Sequence, residues 1–177
     1  HGVTDIVSGM VYNENLVGPS GLTTGPGGTV YVSDTDNHRV FSATQGIFQQ
    51  MVDRNTTVYN GGTIAQVRPE SPTAIRSAPD GSLVILFEGD QAVRRLDTRR
   101  TLTTVLNSGV VEGMTDLALD GDGRIYVVSP HANQVFRVEN ETTVVPVAGT
   151  PTGEGLKGDG VPAIESGLSG PVAIDFD

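Results

Sequence analysis

Asp34 and Arg39 flank a short polar stretch, Thr35-Asp36-Asn37-His38, and a tight reversal there brings acid and base close enough to pair. Asp120-Gly121-Asp122-Gly123 offers the hard oxygen atoms that calcium prefers. An EF-hand loop needs a further acidic ligand and a closing Glu, and Arg124 and His131 stand roughly at those places, so a turn is the better reading. Histidine is confined to His1, His38 and His131, no serine sits in a Gly-x-Ser-x-Gly elbow, and cysteine is absent. No catalytic residue, metal ligand or cofactor is nominated on these grounds. One basic cluster exists, Arg94-Arg95-Leu96-Asp97-Thr98-Arg99-Arg100. It can dock an acidic partner or anion, but the preferred reading is charge that protects an outer strand edge from unwanted pairing.

The elements that carry these residues follow from composition and repetition. Glycine reaches 23 and proline 10 in 177 residues, with 5% aromatics, which suits an all-β chain of tight turns better than a helical bundle. No stretch has helical apolar spacing, and no apolar run approaches a membrane span. The formal charge of −10 opposes a phosphate-binding surface, so nucleic acid is not expected as a partner. Three stretches align without gaps, from Pro19, Pro72 and Met114, and a fourth begins at Pro171. Each reads as a short apolar strand (21–24, 74–77, 117–119), a turn closing on Gly28, Gly81 or Gly123, a second strand, a polar loop, and third and fourth strands. Four short strands per unit, at starts near the ~40–50-residue repeat of propellers, predict β-propeller blades at 18–52, 72–106 and 114–148. Segments 3–8 and 171–177 read as an outermost and an innermost strand of further blade material, so the expectation is three complete blades plus strands of a fourth within 1–177.

The first unit resembles the NHL repeat. Gly18-Pro19-Ser20-Gly21-Leu22 matches its opening, and Gly28-Thr29-Val30-Tyr31-Val32-Ser33-Asp34-Thr35-Asp36-Asn37-His38-Arg39-Val40 contains its Asn-His-Arg. Gly158-Asp159-Gly160-Val161-Pro162-Ala163 is similar to the spacer between NHL blades, whereas the second and third units depart at the signature loop. The resemblance implies an excerpt of a six- or seven-bladed ring. It leaves activity open, because the family includes protein-binding and RNA-binding modules, receptor sensor domains and a few lyases. Neither Asp34 nor Arg39 recurs: the second unit has Phe87 and Ala92 there, the third Ser129 and Gln134. A joint loss is what a structural clip predicts, more than catalysis does.

Alternating strand direction places the signature loops and the long connections 53–71 and 150–170 on one face, and loops on a rigid scaffold are where binding resides. The expected contact residues are Asp36, Asn37, His38, Asp90, His131 and Asp159. The functional expectation is a non-catalytic module that binds a protein or a small polar ligand. The alternative is part of a propeller enzyme, a lyase or hydrolase, whose catalytic residues lie partly elsewhere. Exposed blade faces at the open ends would favour pairing with a second copy. The sequons Asn55-Thr56-Thr57 and Asn140-Glu141-Thr142 leave the compartment unknown, with the extracellular space or secretory lumen favoured.

Overall fold

Leu83-Val84-Ile85-Leu86-Phe87 is an unbroken apolar run, which a strand accommodates where both of its faces are buried. In the computed structural model of the chain all five are buried, and the two faces feed two different cores. The structure describes residues 3–7, 10–45, 47–155 and 159–177. His1, Ser8 and Gly158 lie outside them.

Sixteen strands are assigned among the described residues, and no α-helix. β1 (Val3–Val7) and β2 (Met10–Glu14) form an antiparallel hairpin, so the expected strand at 3–8 is present over Val3–Val7 but with a partner the sequence reading did not foresee. β3 (Pro19–Thr24), β4 (Val30–Asp34), β5 (Arg39–Thr44) and β6 (Ile47–Val52) make the first four-stranded meander. β7 (Val58–Asn60) and β8 (Thr63–Ala65) precede the second meander, which runs through β9 (Pro72–Ser77), β10 (Leu83–Phe87), β11 (Ala92–Leu96) and β12 (Leu102–Leu106). β13 (Asp116–Leu119), β14 (Ile125–Ser129), β15 (Gln134–Asn140) and β16 (Thr143–Ala148) complete the third. Sequential strands within each meander pair antiparallel, and the registers Asp34 with Arg39, Phe87 with Ala92 and Ser129 with Gln134 reproduce the sequence alignment.

The connection 53–71 was read as a loop on the signature face, and part of it is strand. β7 pairs in parallel with β12, matching Val58 to Leu102, and β8 folds back on β7, so the second sheet has six strands. Gly61 and Gly62 turn the hairpin with φ of 55° and 83°, the left-handed pair a two-residue reversal requires. The Gly61 N–H donates to Glu141 Oε1 at 3.1 Å, which seats this turn against the β15–β16 reversal and not among the signature loops.

Alternation within β10 sends Val84 and Leu86 toward the third sheet, with Val93, Leu106, Met114, Leu117 and Val127, and sends Leu83, Ile85 and Phe87 toward the first, with Val40, Val52, Leu96 and Leu102. The first strands line up around a common centre. Ser20 Oγ donates to the Thr73 carbonyl (3.4 Å), the Ser77 N–H to Thr23 Oγ1 (3.3 Å), and Arg76 reaches Asp116 (3.1 Å). Residues 171–177 continue that series against β13: Thr115 Oγ1 donates to the Val172 carbonyl (2.9 Å) and the Ile174 N–H to Asp116 Oδ2 (3.1 Å). The segment takes the place expected of an innermost strand, although no ladder pairing is assigned to it. The fold is all-β, with sheets stacked face to face about an axis as in a propeller.

Candidate functional site

Each signature loop begins with a tight turn and closes on a non-glycine residue in left-handed conformation: His38 (φ 56°), Gln91 (φ 47°) and Asn133 (φ 55°). Side chains seldom adopt that region without compensation. The compensation is the same in all three. His38 Nδ1 accepts from the Ser71 N–H (2.9 Å), Gln91 Oε1 from the Met114 N–H (2.8 Å) and Asn133 Oδ1 from the Gly170 N–H (3.0 Å). Each loop thus holds the chain just where it enters the next first strand. His38 Nε2 lies 2.7 Å from Arg54 Nη2, so both ring nitrogens are engaged inside the scaffold.

Asn37 is also turned inward by local geometry, whereas Asp36 stays exposed. An added Cβ on Gly18 (φ +60°) would stand 2.4 Å from Asp36 Oδ2, so this carboxylate rests directly on the glycine that begins the blade. Asn37 Nδ2 donates to Asp34 Oδ2 (2.9 Å) and to the Asn15 carbonyl (3.1 Å). Asp34 itself is fully buried and accepts in addition from Arg39 Nη2 (2.9 Å) and the Val17 N–H (2.6 Å). The Asp34–Arg39 pair therefore forms as a clip that also anchors the preceding segment.

The second loop corrects the idea that acid and base simply vanish there. Asp90 pairs with Arg94, which is buried and lies 5.0 Å from the centre of the Phe87 ring. The first blade stacks Arg39 on Phe41 at 4.8 Å. Arg94 stands at the position of Phe41 and Phe87 at that of Asp34, with Ala92 in place of Arg39, yet the charge-on-ring packing persists. Arg94 leaves the expected basic cluster by this route, and Arg95 by pairing with Asp80 at 3.3 Å. Arg99 and Arg100 remain exposed on the β11–β12 turn. The adjacency of Asp90 and Arg94 four residues apart was the signal for the buried pair; its burial was not readable.

Asp120 closes the β13–β14 turn as expected. It accepts from the Asp122 N–H (3.0 Å), the Arg124 N–H (2.9 Å) and the Tyr126 hydroxyl (3.1 Å). Burial pushes its carboxyl up, but these donors outweigh burial and hold it below the usual range. Among the described residues no group of three acidic, histidine or cysteine side chains is placed to hold a metal ion.

His131 behaves differently from the other candidates. It occupies the position of Asp36 in its own loop and crowds Gly113, yet its side chain is 73% exposed. Its Nδ1 lies 3.9 Å from Glu112, itself 76% exposed. Both border a hollow of about 260 Å³ floored by Val110, Val111, Ala132 and Phe136. Asp159 is exposed on the 150–170 connection, apart from these contacts. A second hollow, about 400 Å³, opens between the first strands, where the Arg76–Asp116 pair meets Ser20, Thr73 and Thr115.

Residues 16–41 match the NHL repeat family. That segment of the first blade is an NHL repeat. The match spans the Gly18-Pro19 opening, the Asp34–Arg39 clip and the Asn-His-Arg loop, and of these the left-handed loop residue with its staple repeats in the other two blades. No curated protein matches the chain by sequence. Among solved structures it is similar to a protein of unknown function from Bacteroides thetaiotaomicron, at 12% identity and a TM-score of 0.67 over 90% of this chain and 42% of that one. It is also similar to streptogramin B lyase (16%, TM-score 0.57, 73% of this chain and 40% of that one). A gluconolactonase from Xanthomonas campestris matches at 16% and 0.57, over 73% and 46%. The chain spans less than half the length of each, and likeness at such identity concerns the fold. Among the described residues no helix is long and apolar enough to cross a membrane.

Proposed function

We propose that this chain is a non-catalytic propeller module that binds a protein or small polar ligand through its signature-loop face, with Glu112 and His131 at the centre of the contact. The observation that carries the reading is the hollow beside them: an apolar floor rimmed by an exposed acid and imidazole, the mixture that typifies recognition sites. Asp36, Asn37, His38 and Asp90 contribute by holding the loops rigid, and Asp159 belongs to the periphery of the same face. Seven of the ten arginines are already paired with acids, which supports a partner other than nucleic acid. Exposed Val145 and Phe176 near the third sheet suit association with a second copy, which light scattering tests directly.

The deciding experiment is capture of a partner by the wild-type chain, then repetition with Glu112→Lys/His131→Ala and with Asp116→Asn. Loss with the first and retention with the second is expected. The opposite pattern favours the second reading, part of a propeller enzyme working at the central opening. That alternative draws on the Arg76–Asp116 pair there and on fold similarity to a lyase and a gluconolactonase.

A further inference from the structure

The unpaired arginines are not scattered. Arg68, Arg99 and Arg100 have no acidic partner among the described residues, and two of the three share the β11–β12 turn. Arg100 borders a hollow of about 270 Å³ between the first and second sheets, with Tyr31, Met51, Leu83 and Leu96 as its apolar lining and Thr98 at its rim. Asp97 also borders it, with its Oδ1 accepting from the N–H groups of Arg99 (2.9 Å) and Thr101 (2.7 Å), so it fixes the turn and makes no ion pair with the guanidinium. Arg100 itself is held in left-handed conformation (φ 66°), with its N–H on the Asp97 carbonyl (3.0 Å). In a chain of net charge −10, a cation left unpaired at the mouth of an apolar hollow is a local exception.

We propose that this hollow binds a small carboxylate with an apolar tail, the tail entering between Tyr31, Met51, Leu83 and Leu96 and the carboxylate meeting Arg100 and the Thr98 hydroxyl. Charge complementarity selects the anion, because a guanidinium presents parallel donors to a carboxylate. The apolar lining selects the tail. Size selects a single ring or short chain, since the hollow falls just below the ~300 Å³ at which drug-sized sites begin. The site lies at the end of the sheets opposite the signature loops, because the β11–β12 turn and the β9–β10 turn carrying Gly81 share that end. It is therefore independent of the partner-binding reading above.

The test uses 3-phenylpropanoate as probe, followed by amide chemical shifts of the labelled chain. Saturable shifts centred on Gly81, Thr98 and Arg100 are expected, with a dissociation constant on the order of a millimolar. Arg100→Ala should weaken binding by about fivefold or more, with an unchanged melting temperature because the side chain is exposed. Acetate, which lacks the tail, should bind at least about tenfold more weakly. No saturable shift overturns the proposal. So does equal binding of acetate, or an Arg99→Ala effect as large as that of Arg100→Ala, since either result reduces the attraction to diffuse surface charge.

Discussion

Asp34 shows what a single carboxylate does when burial leaves it no water. Three side-chain and backbone donors converge on it, and removing the carboxylate takes this acceptor from all of them. Asp34→Ala should cost roughly 3 kcal/mol of unfolding free energy, because it removes the acceptor that the guanidinium and two further donors share in a buried place. Arg39→Ala should cost less, and the double variant less than the sum by about 1 kcal/mol or more. Strict additivity in a denaturant-monitored cycle would show that the two residues do not interact. Asp80 and Asp120 make the corresponding statement about pH. The Ser82 hydroxyl, then its N–H, holds Asp80 below the usual carboxylate range, and the β13–β14 turn donors hold Asp120 below it. A carboxyl depressed in the folded state stabilises the fold fully above its unfolded pKa, near ~4, and stops doing so as pH falls through the folded value. The denaturation midpoint should therefore fall with acidification below about pH 4, and Ser82→Ala should move the Asp80 titration upward in a carbon-detected NMR series. An unmoved titration would remove the serine from the explanation.

At the scale of elements, the β7–β8 hairpin is the departure that matters most. β12 is the outermost strand of its meander, and an uncovered outer strand offers its backbone to any passing chain. β7 covers it over Leu102 and Thr103 while Val58 is fully buried in the core between the first two sheets. Replacing 57–66 by a short glycine-serine linker should expose that edge and remove Val58 from the core, giving a chain that is less stable and associates. Size-exclusion with light scattering is the check, and a monomer of unchanged stability would show the hairpin to be decoration. The loop staples belong to this scale as well. His38, Gln91 and Asn133 differ in chemistry but share one acceptor task, because each meets an N–H at or one residue before the start of the next repeat.

The whole molecule is held together by sheets that share cores with both neighbours. β10 feeds each face into a different cluster, so damage on one face should be felt in the adjoining blade. Leu86→Ala should cost about 2–5 kcal/mol and should lower hydrogen-exchange protection in β13 and β14 more than in β3 and β4. Equal loss in both directions would mean that the blades unfold as one indivisible unit. The same stacking leaves one concavity between first strands and another between the first and second sheets, while the hollow beside His131 lies between the 107–115 connection and the third sheet.

Strand order, the three meanders, the turn glycines and the propeller architecture were legible in the sequence, because they depend on local alternation and on turns repeated at matching places in aligned units. Even the β7–β8 hairpin was written there, as Val58-Tyr59-Asn60 and Thr63-Ile64-Ala65 around a Gly-Gly reversal, and was hidden by the length of the connection that contains it. The roles of the candidate residues were not legible. Asn37, His38 and Asp90 look like exposed polar groups in one dimension, and only the packing of loops onto neighbouring strands turns them inward, while Asp36 stays exposed. Whether Arg94 is buried on Phe87 while Arg100 stands free at a hollow is likewise decided between sheets. Those contacts join residues far apart in the chain, and no period or spacing along it encodes them.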